Sequence, residues 1–349
     1  MQSLFSTLRE ELQLPTKKIE YFISFIESII QKESVNLDQI AGIINPKNTK
    51  KSNYRILQRF FKDFNLIFTY FSKLLMRFIP EGKRILIIDR TEWKEINIFF
   101  LCVEYQGVGI PILWECLDKK GCTNTLERID LLQDYLNIFG KESINYLTAD
   151  REFIGRDWFN WLNSQGIKFL IRIKSNFILK NDFSYKKKVK GIFRYYSPKT
   201  KILKLFGTEL RIMGKRINSK DLLIVATNSD ELALEDYSTR WLIESMFSCF
   251  KKRGFDLESI KMTDNYKIDK LIAFISITYC WCIKAGKIFK TKDSKIRKDT
   301  GYSRKSTFKI GLESVSISII QKHSKPKKYL KFINVFEPHS NESSHFVVA

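Results

Sequence analysis

Residues 1–80 carry apolar positions at helical spacing and few glycines. The period is clear over residues 21–30 and 35–44, and it continues in one long amphipathic helix that we predict from residue 52 to residue 78. Because no strand-like alternation interrupts this region, we predict an all-helical N-terminal domain.

From residue 83 the apolar pattern shortens to strand-sized runs separated by turns. Residues 85–89 predict one strand, and residues 96–117 predict two strands joined around residues 106–109. The later predicted elements are a helix at 125–139, a strand at 144–150, a helix at 155–165, strands at 167–173 and 222–228, a helix at 232–253 and an apolar helix near 271–283. Strands that alternate with helices are typical of an α/β core, and this core would begin with an antiparallel meander.

The other segments differ from this core in charge. Residues 168–220 contain 16 Lys and Arg against two acids, distributed among short Val, Ile, Phe and Tyr runs. The predicted division is a helical domain at 1–80, an α/β core at 81–174 and 222–283, a basic β-rich insertion at 175–221, and a basic C-terminal segment at 284–349.

The chain of 349 residues is strongly basic, since 60 Lys and Arg face 38 Asp and Glu and leave a formal charge of +22. Such a surplus favours nucleic acid as a partner, because each phosphate that is neutralised releases condensed counterions. In the predicted 52–78 helix, Arg55, Arg59 and Lys62 recur on one side. We predict that Arg55 and Arg59 contact DNA. The alternative interpretation is a solvated basic face on an ordinary helical bundle.

The histidines and cysteines restrict the chemistry. All three histidines follow residue 320, which argues against a Ser-His or Cys-His hydrolase. The six cysteines follow neither a disulfide framework nor a zinc-site spacing. Catalysis would therefore use carboxylates, lysines, tyrosines or a bound metal.

No membrane partner is expected from the sequence. The first 15 residues lack the basic end and apolar stretch of a signal peptide. The longest apolar run, residues 271–283, is too short to cross a bilayer and suits a buried helix. We expect a cytoplasmic protein.

Two aspartates, Asp89 and Asp150, are predicted to end apolar strands, in the stretches ILIID and INYLTAD. If the two strands lie side by side, both carboxylates can reach one divalent ion. An aspartate that ends a strand is weak evidence by itself, since turns and helix caps also favour this residue.

The predicted 232–253 helix adds a polar stripe to this picture. Tyr237, Arg240, Glu244 and Lys251 are separated by three, four and seven residues, so they share one helical face. The alternative is that Arg240 and Glu244 form an ordinary ion pair on a solvated face.

The order Tyr237, Arg240, Glu244, Lys251 resembles the Tyr-Arg-Glu-Lys signature of a branch of bacterial insertion-sequence transposases of the DDE class. The surrounding stretches agree, namely IIDRTEWK, LTADREFIG, GCTNTLERIDLL, YSTRWLIESMFSCFKKRGFDLE and GYSRKSTFKIGLES. One departure is Arg90, which follows the first aspartate where such proteins commonly have an acid. The resemblance implies an RNase H-like catalytic core.

The resemblance implies that Asp89, Asp150 and Glu244 are catalytic and hold two Mg²⁺ ions, for which Mn²⁺ could substitute. Two ions about 4 Å apart can activate an attacking oxygen and stabilise a leaving oxygen. By this logic Asp89 bridges the ions. Lys251 and Arg240 would hold phosphates, and Tyr237 would stack or hydrogen-bond beside a base at the transposon end.

The implied reaction is cut-and-paste transposition, with a homodimer acting on inverted-repeat ends and target DNA. Two alternatives stay open, a retained protein that only binds DNA and an RNase H-like nuclease without strand transfer. Tyr237 as a covalent nucleophile is disfavoured, because the Arg/His/Arg surroundings of tyrosine recombinases are not available.

Overall fold

The computed structural model describes residues 4–180, 186–194, 196–219, 221–289, 305–327 and 329–330. The chain divides into two compact units, one formed by residues 1–80 with 247–349 and the other by residues 81–246. The helices of residues 1–80 are α1 Leu4–Leu12, α2 Thr16–Lys32, α3 Leu37–Ala41, α4 Lys50–Asp63 and α5 Phe68–Met76. The following elements are β1 Arg84–Trp93, β2 Ile96–Tyr105, β3 Val108–Leu117, α6 Thr125–Phe139, β4 Ile144–Ala149, α7 Arg156–Ser164, β5 Phe169–Arg172, β6 Ile178–Lys180, β7 Lys186–Lys188, β8 Lys199–Leu205, β9 Thr208–Arg216, β10 Leu222–Thr227, α8 Trp241–Phe250, α9 Asn265–Phe289 and α10 Thr307–Ile320.

Helix α9 forms the centre of the helical unit. Phe274 on α9 lies 4.5–5.7 Å, between ring centroids, from five phenylalanines of α2 and the α4 region, namely Phe22, Phe25, Phe60, Phe61 and Phe64. Burying rings of this size supplies much of the hydrophobic stabilisation of such a core. The structure therefore groups residues 247–289 with residues 1–80, whereas the predicted α/β core included residues 222–283.

Helix α9 is longer than the apolar run that predicted it. It has 25 residues, and by length and hydropathy it could cross a membrane. However, 83% of its most apolar window is buried inside the protein, as in the core helix of a soluble protein. The length of the helix is therefore weak evidence for a membrane segment.

The prediction of one long helix from residue 52 to residue 78 is wrong. Helix α4 ends at Asp63, where Phe64 adopts extended backbone angles, and α5 begins at Phe68. The buried Lys270 of α9 donates from Nζ to the carbonyl oxygen of Phe61 at 2.6 Å. The last carbonyls of a helix have no partner within it, so this distant ammonium group stabilises an end that neither Gly nor Pro marks.

Helices α9 and α10 approach each other so closely that both need glycine at the contact. A Cβ atom added at Gly311 would lie 1.7 Å from the carbonyl oxygen of Cys282, and one added at Gly286 would lie 1.9 Å from that of Thr307. Neither distance is compatible with van der Waals packing, so any larger residue forces the helices apart.

We therefore expect Gly311→Ala to lower the free energy of unfolding by about 1–3 kcal/mol, despite the better helix propensity of alanine. Urea denaturation followed by circular dichroism measures this change. Gly155→Ala is the control, since its Cβ would meet no heavy atom closer than 3.9 Å. Equal stability of Gly311→Ala and the native protein would contradict the close approach.

The second unit is built on an eight-stranded sheet within the described residues, in the order β3-β2-β1-β4-β5-β10-β9-β8. Strands β1, β2 and β3 form the predicted antiparallel meander, and β4 and β5 continue the sheet in parallel with β1. Helix α6 connects β3 to β4, and α7 connects β4 to β5. This mixed α/β arrangement is compatible with the predicted RNase H-like core.

Part of the basic segment predicted as a β-rich insertion belongs to the main sheet. Strands β8 and β9 pair with each other, and β9 pairs with β10, so they extend the main sheet. Strands β6 and β7 form a separate two-stranded sheet. Residues 181–185, 195 and 220 of this segment lie outside the described residues, as do residues 290–304 and 331–349 of the predicted C-terminal segment.

Candidate active site

The parallel pairing of β1 with β4 brings Asp89 and Asp150 to neighbouring positions. The pairing aligns Ile88 with Ala149, and each aspartate is the next residue. Neighbouring strands lie about 4.8 Å apart, and residues in register point to the same face. Asp150 directly follows β4, as predicted, but Asp89 lies inside β1, which continues to Trp93 in its pairing with β2. The parallel pairing with β4, rather than strand β1, stops just before Asp89.

Asp89 is mostly buried and still holds two hydrogen bonds. Its Oδ1 accepts from the backbone N–H of Arg90 at 2.8 Å, and its Oδ2 lies 3.2 Å from Nη1 of Arg240. Burial raises the pKa of this carboxyl to about 7, although both contacts act to lower it. The charges of Glu152 and Asp150 raise the pKa further. Positive charge near Asp89 would therefore stabilise the ionised form of its carboxyl.

This shift predicts how stability depends on pH. The folded pKa of Asp89 lies above the unfolded value of about 4, so the contribution of this group is fully present below pH 4 and is lost as pH rises towards 7. We expect a loss of roughly a few kcal/mol over this window, in EDTA. Urea denaturation at several pH values measures it. Asp89→Asn should flatten the profile, and an unchanged profile in that variant would contradict the assignment.

Arg240 connects the first aspartate to the glutamate. Its Nη1 contacts Asp89 as above, and its Nη2 lies 2.5 Å from Oε1 of Glu244. Its side chain is 2% exposed, and its Nε has no hydrogen-bond partner among the described residues. The guanidinium also packs over the ring of Trp241, 4.4 Å from the ring centroid. Arg240 and Glu244 therefore form the ion pair that their spacing predicted, and Asp89, which is distant in the sequence, also contacts Arg240.

Tyr237 contacts the second aspartate. Its hydroxyl oxygen lies 3.5 Å from Oδ1 of Asp150, and the residue is 1% exposed. Its ring packs in a core cluster that includes Tyr146, Leu170 and Val225. The ring is therefore not accessible to a DNA base in this structure, and the stacking role expected for Tyr237 has no support from its position. The hydrogen bond instead holds the Asp150 carboxyl.

The helix that carries these residues is not the continuous one predicted over residues 232–253. Residues Leu234–Arg240 form a 3-10 helix, which leads into α8. Tyr237 and Arg240 are one 3-10 turn apart and therefore lie on the same side. Lys251 follows the end of α8, where its Nζ lies 3.4 Å from Oε1 of Glu258.

The two arginines predicted to contact DNA lie on α4 in the helical unit. Arg55 and Arg59 are both exposed, and so is Lys62, while Leu57 and Phe61 of the same helix are buried. The basic face predicted from the sequence is therefore present. Its position is equally compatible with a DNA contact and with an ordinary solvated face.

The candidate carboxylates differ in how well they suit a divalent cation. Asp89 and Asp150 offer the oxygen donors that hard cations prefer, on one face and at one edge of the parallel pairing. Among the residues described, no group of three or more Asp, Glu, His or Cys is close enough to hold a metal ion. Arg240 instead supplies positive charge between Asp89 and Glu244. The two aspartates thus offer oxygen donors that suit a shared cation, whereas Glu244 is paired with Arg240 in this structure.

Sequence reasoning missed a second network beside the aspartates. Arg90 forms an ion pair with Glu152, and the buried Arg128 donates to the carbonyl oxygens of Glu152 and Ile154. The stretch ADREF, at the end of β4, contains one signal for Glu152. An acid two residues after a candidate ligand such as Asp150 can face the same edge of the sheet. The local pattern does not indicate that the partner of Glu152 is Arg90, which lies 62 residues earlier in the chain.

Comparison with known proteins agrees with the mixed α/β fold described above. Residues 118–281 match the family model of the transposase DDE domain. This similarity supports a DDE transposase, a DNA-cleaving enzyme. The match includes Asp150, Tyr237, Arg240 and Glu244, whereas Asp89 precedes it. A comparison with curated proteins finds no match.

Proposed function

We propose that this protein is an insertion-sequence transposase of the branch with the Tyr-Arg-Glu-Lys signature. It would cleave DNA at inverted-repeat ends and join these ends to target DNA by divalent-metal phosphoryl transfer. The observation that carries the proposal is the arrangement of the first two acids and the arginine that links one of them to Glu244. Asp89 and Asp150 are neighbours on paired strands, and one buried guanidinium contacts both Asp89 and Glu244.

Asp89, Asp150 and Glu244 would hold Mg²⁺, with Mn²⁺ as a substitute, since all three offer oxygen ligands. When bound, the ions would help to activate the attacking oxygen and to stabilise charge on the leaving oxygen. Tyr237 orients the Asp150 carboxyl through its hydroxyl. Arg240 forms ion pairs with Asp89 and Glu244. A DNA phosphate would compete with these carboxylates for Arg240, because a guanidinium is suited to a bidentate contact with phosphate.

A homodimer on DNA and a cytoplasmic, nucleoid-associated location are part of the same proposal. Lys251, Arg55 and Arg59 would contact phosphates from the helical unit. The strongly basic sequence and the exposed lysines of β8, which are Lys199, Lys201 and Lys204, support an extended phosphate contact.

The decisive experiment uses a labelled DNA fragment that carries the inverted repeat flanking the gene. The purified protein should cut this fragment at the repeat end with Mg²⁺ and leave it intact in EDTA. Transfer of the cut end to a plasmid distinguishes a transposase from a nuclease without strand transfer. Binding to the repeat without any cutting would favour the retained DNA-binding protein instead.

Binding to this fragment is expected to weaken steeply with salt. For a protein that contacts Z phosphates, the slope of log K against log salt is about −0.9Z, so six contacts would give a slope near −5. Fluorescence anisotropy at several salt concentrations measures the slope. Replacing Lys199, Lys201 and Lys204 together by Gln should make it shallower by about 3. An unchanged slope would remove β8 from the phosphate contact.

A further inference from the structure

Arg90 occupies the position after the first aspartate at which an acid was expected, and the structure shows its partners. Its Nε lies 2.9 Å from Oε1 of Glu152, and its Nη1 lies 2.8 Å from Oε2 of Glu92. The side chains of Arg90 and Glu152 are 17% and 22% exposed. A pair this far from solvent is screened less than an ion pair on the open surface. The guanidinium of Arg90 is therefore held by two carboxylates, one at Nε and one at Nη1.

The backbone around Glu152 is fixed as well. The buried Arg128 donates from Nη2 to the carbonyl oxygen of Glu152 at 3.1 Å and from Nη1 to that of Ile154 at 3.4 Å. The same guanidinium donates to the backbone and side chain of Thr123. It also lies over the ring of Phe153, at 5.2 Å from its centroid. The turn that carries Glu152 thus has little freedom to follow a displaced partner.

The Arg90–Glu152 pair joins the two segments that carry the candidate metal ligands. The parallel pairing between β1 and β4 stops at Ile88 and Ala149, one residue before each aspartate. Arg90 is the residue after Asp89, and Glu152 is the second residue after Asp150. The ion pair is therefore a cross-link between the strand and the turn just past the point where backbone hydrogen bonds between β1 and β4 end.

The pair also balances charge. Glu152 is close enough to Asp89 for a repulsive interaction between the two carboxylates. Arg90 brings a compensating positive charge to Glu152 and, through its backbone N–H, a hydrogen bond to Asp89. Without the guanidinium, the anchored Glu152 would remain beside Asp89 as an unpaired charge.

We propose that Arg90 and Glu152 are positioning residues that set the separation of Asp89 and Asp150 for a shared divalent cation. This inference rests on the proposed function and deepens it, because it assigns a role to the arginine that stands where similar transposases commonly have an acid. Residues around metal ligands commonly act in this way, since they orient carboxylates that would otherwise rotate.

The test measures Mn²⁺ affinity of the full chain without DNA, by calorimetry, next to thermal unfolding in EDTA. Arg90→Gln and Glu152→Gln should each weaken Mn²⁺ binding by about 10–100-fold. The double variant should bind about as weakly as either single one, because the pair acts as one unit. Arg90→Lys, which keeps the charge, should recover part of the affinity. Lys168→Gln is the matched control, since it breaks the Lys168–Glu231 ion pair of the same unit.

Affinity equal to that of the native protein in both single variants, whatever their melting temperatures, would overturn the positioning role. Additive losses in the double variant would do the same, since they would show two independent effects. Failure of the proposed function gives a different result. In that case the native protein would bind Mn²⁺ no better than a variant with both Asp89→Ala and Asp150→Ala.

Discussion

Asp150→Ala is expected to reduce cleavage at a DNA end by about a thousandfold or more, while affinity for the same DNA changes little. Groups that act as one catalytic unit show losses of this size when a single member is removed. Asp150 directly follows β4, and its side chain accepts a long hydrogen bond from Tyr237, at 3.5 Å, so the substitution leaves the surrounding core intact. Removing a negative charge also cannot weaken attraction to phosphates.

Single-turnover cleavage of the labelled end fragment measures the first effect, and fluorescence anisotropy in EDTA measures the second. Glu231→Ala is the matched control, because it removes an exposed carboxylate of the same unit and should cleave normally. Asp89→Ala and Glu244→Ala are expected to behave like Asp150→Ala. Cleavage retained in any one of these variants would remove that residue from the triad.

The local sequence pattern predicted the limits of several helices and strands correctly. Helix α6 begins at Thr125 and ends at Phe139 as predicted, because Asn124 and Glu127 form a capping box at its start and Gly140 follows its end. Strands β2 and β3 also agree with their predicted limits. In these cases the information that defines the element lies within a few residues of it.

The errors arise where a distant residue decides the structure. Helix α4 ends where Lys270, more than 200 residues later, donates to its last carbonyls. Strands β8 and β9 were predicted only as part of a β-rich insertion, since their alternation shows that they are strands but not that β9 pairs with β10. Periodicity fixes the type of an element, whereas its end and its neighbour depend on tertiary contacts.

The candidate site shows the same limit. The sequence identified Asp89, Asp150 and Glu244 through a resemblance, and the pairing of β1 with β4 brings the two aspartates together. It did not predict that Arg240 reaches Asp89, because a contact across 151 residues has no periodic signature. The resemblance also implied that Tyr237 stacks or hydrogen-bonds beside a base, whereas the structure buries this tyrosine in an apolar cluster, a position that suits the residue equally well.

Arg240→Gln is expected to lower the free energy of unfolding by about 3–5 kcal/mol at pH 8 in EDTA. The substitution removes a buried guanidinium that lowers the pKa of Asp89, and it leaves this mostly buried carboxyl without its partner. The lower end of the range is expected, because Glu244 is 44% exposed and water can replace part of its contact. Lys168→Gln, which breaks an exposed pair, should cost less than about 1 kcal/mol.

The same variant should become dependent on metal for stability, since a divalent cation can supply the charge that Arg240 supplies in the native protein. At a Mn²⁺ concentration of 100 times the dissociation constant, binding to the folded state alone adds about 2.7 kcal/mol. In the native protein, Mn²⁺ must first displace the guanidinium from Asp89 and Glu244, so its stabilising effect should be smaller at equal concentration. Urea denaturation with and without Mn²⁺ compares the two proteins. Equal stabilisation of both would mean that the guanidinium and the cation do not compete for these carboxylates.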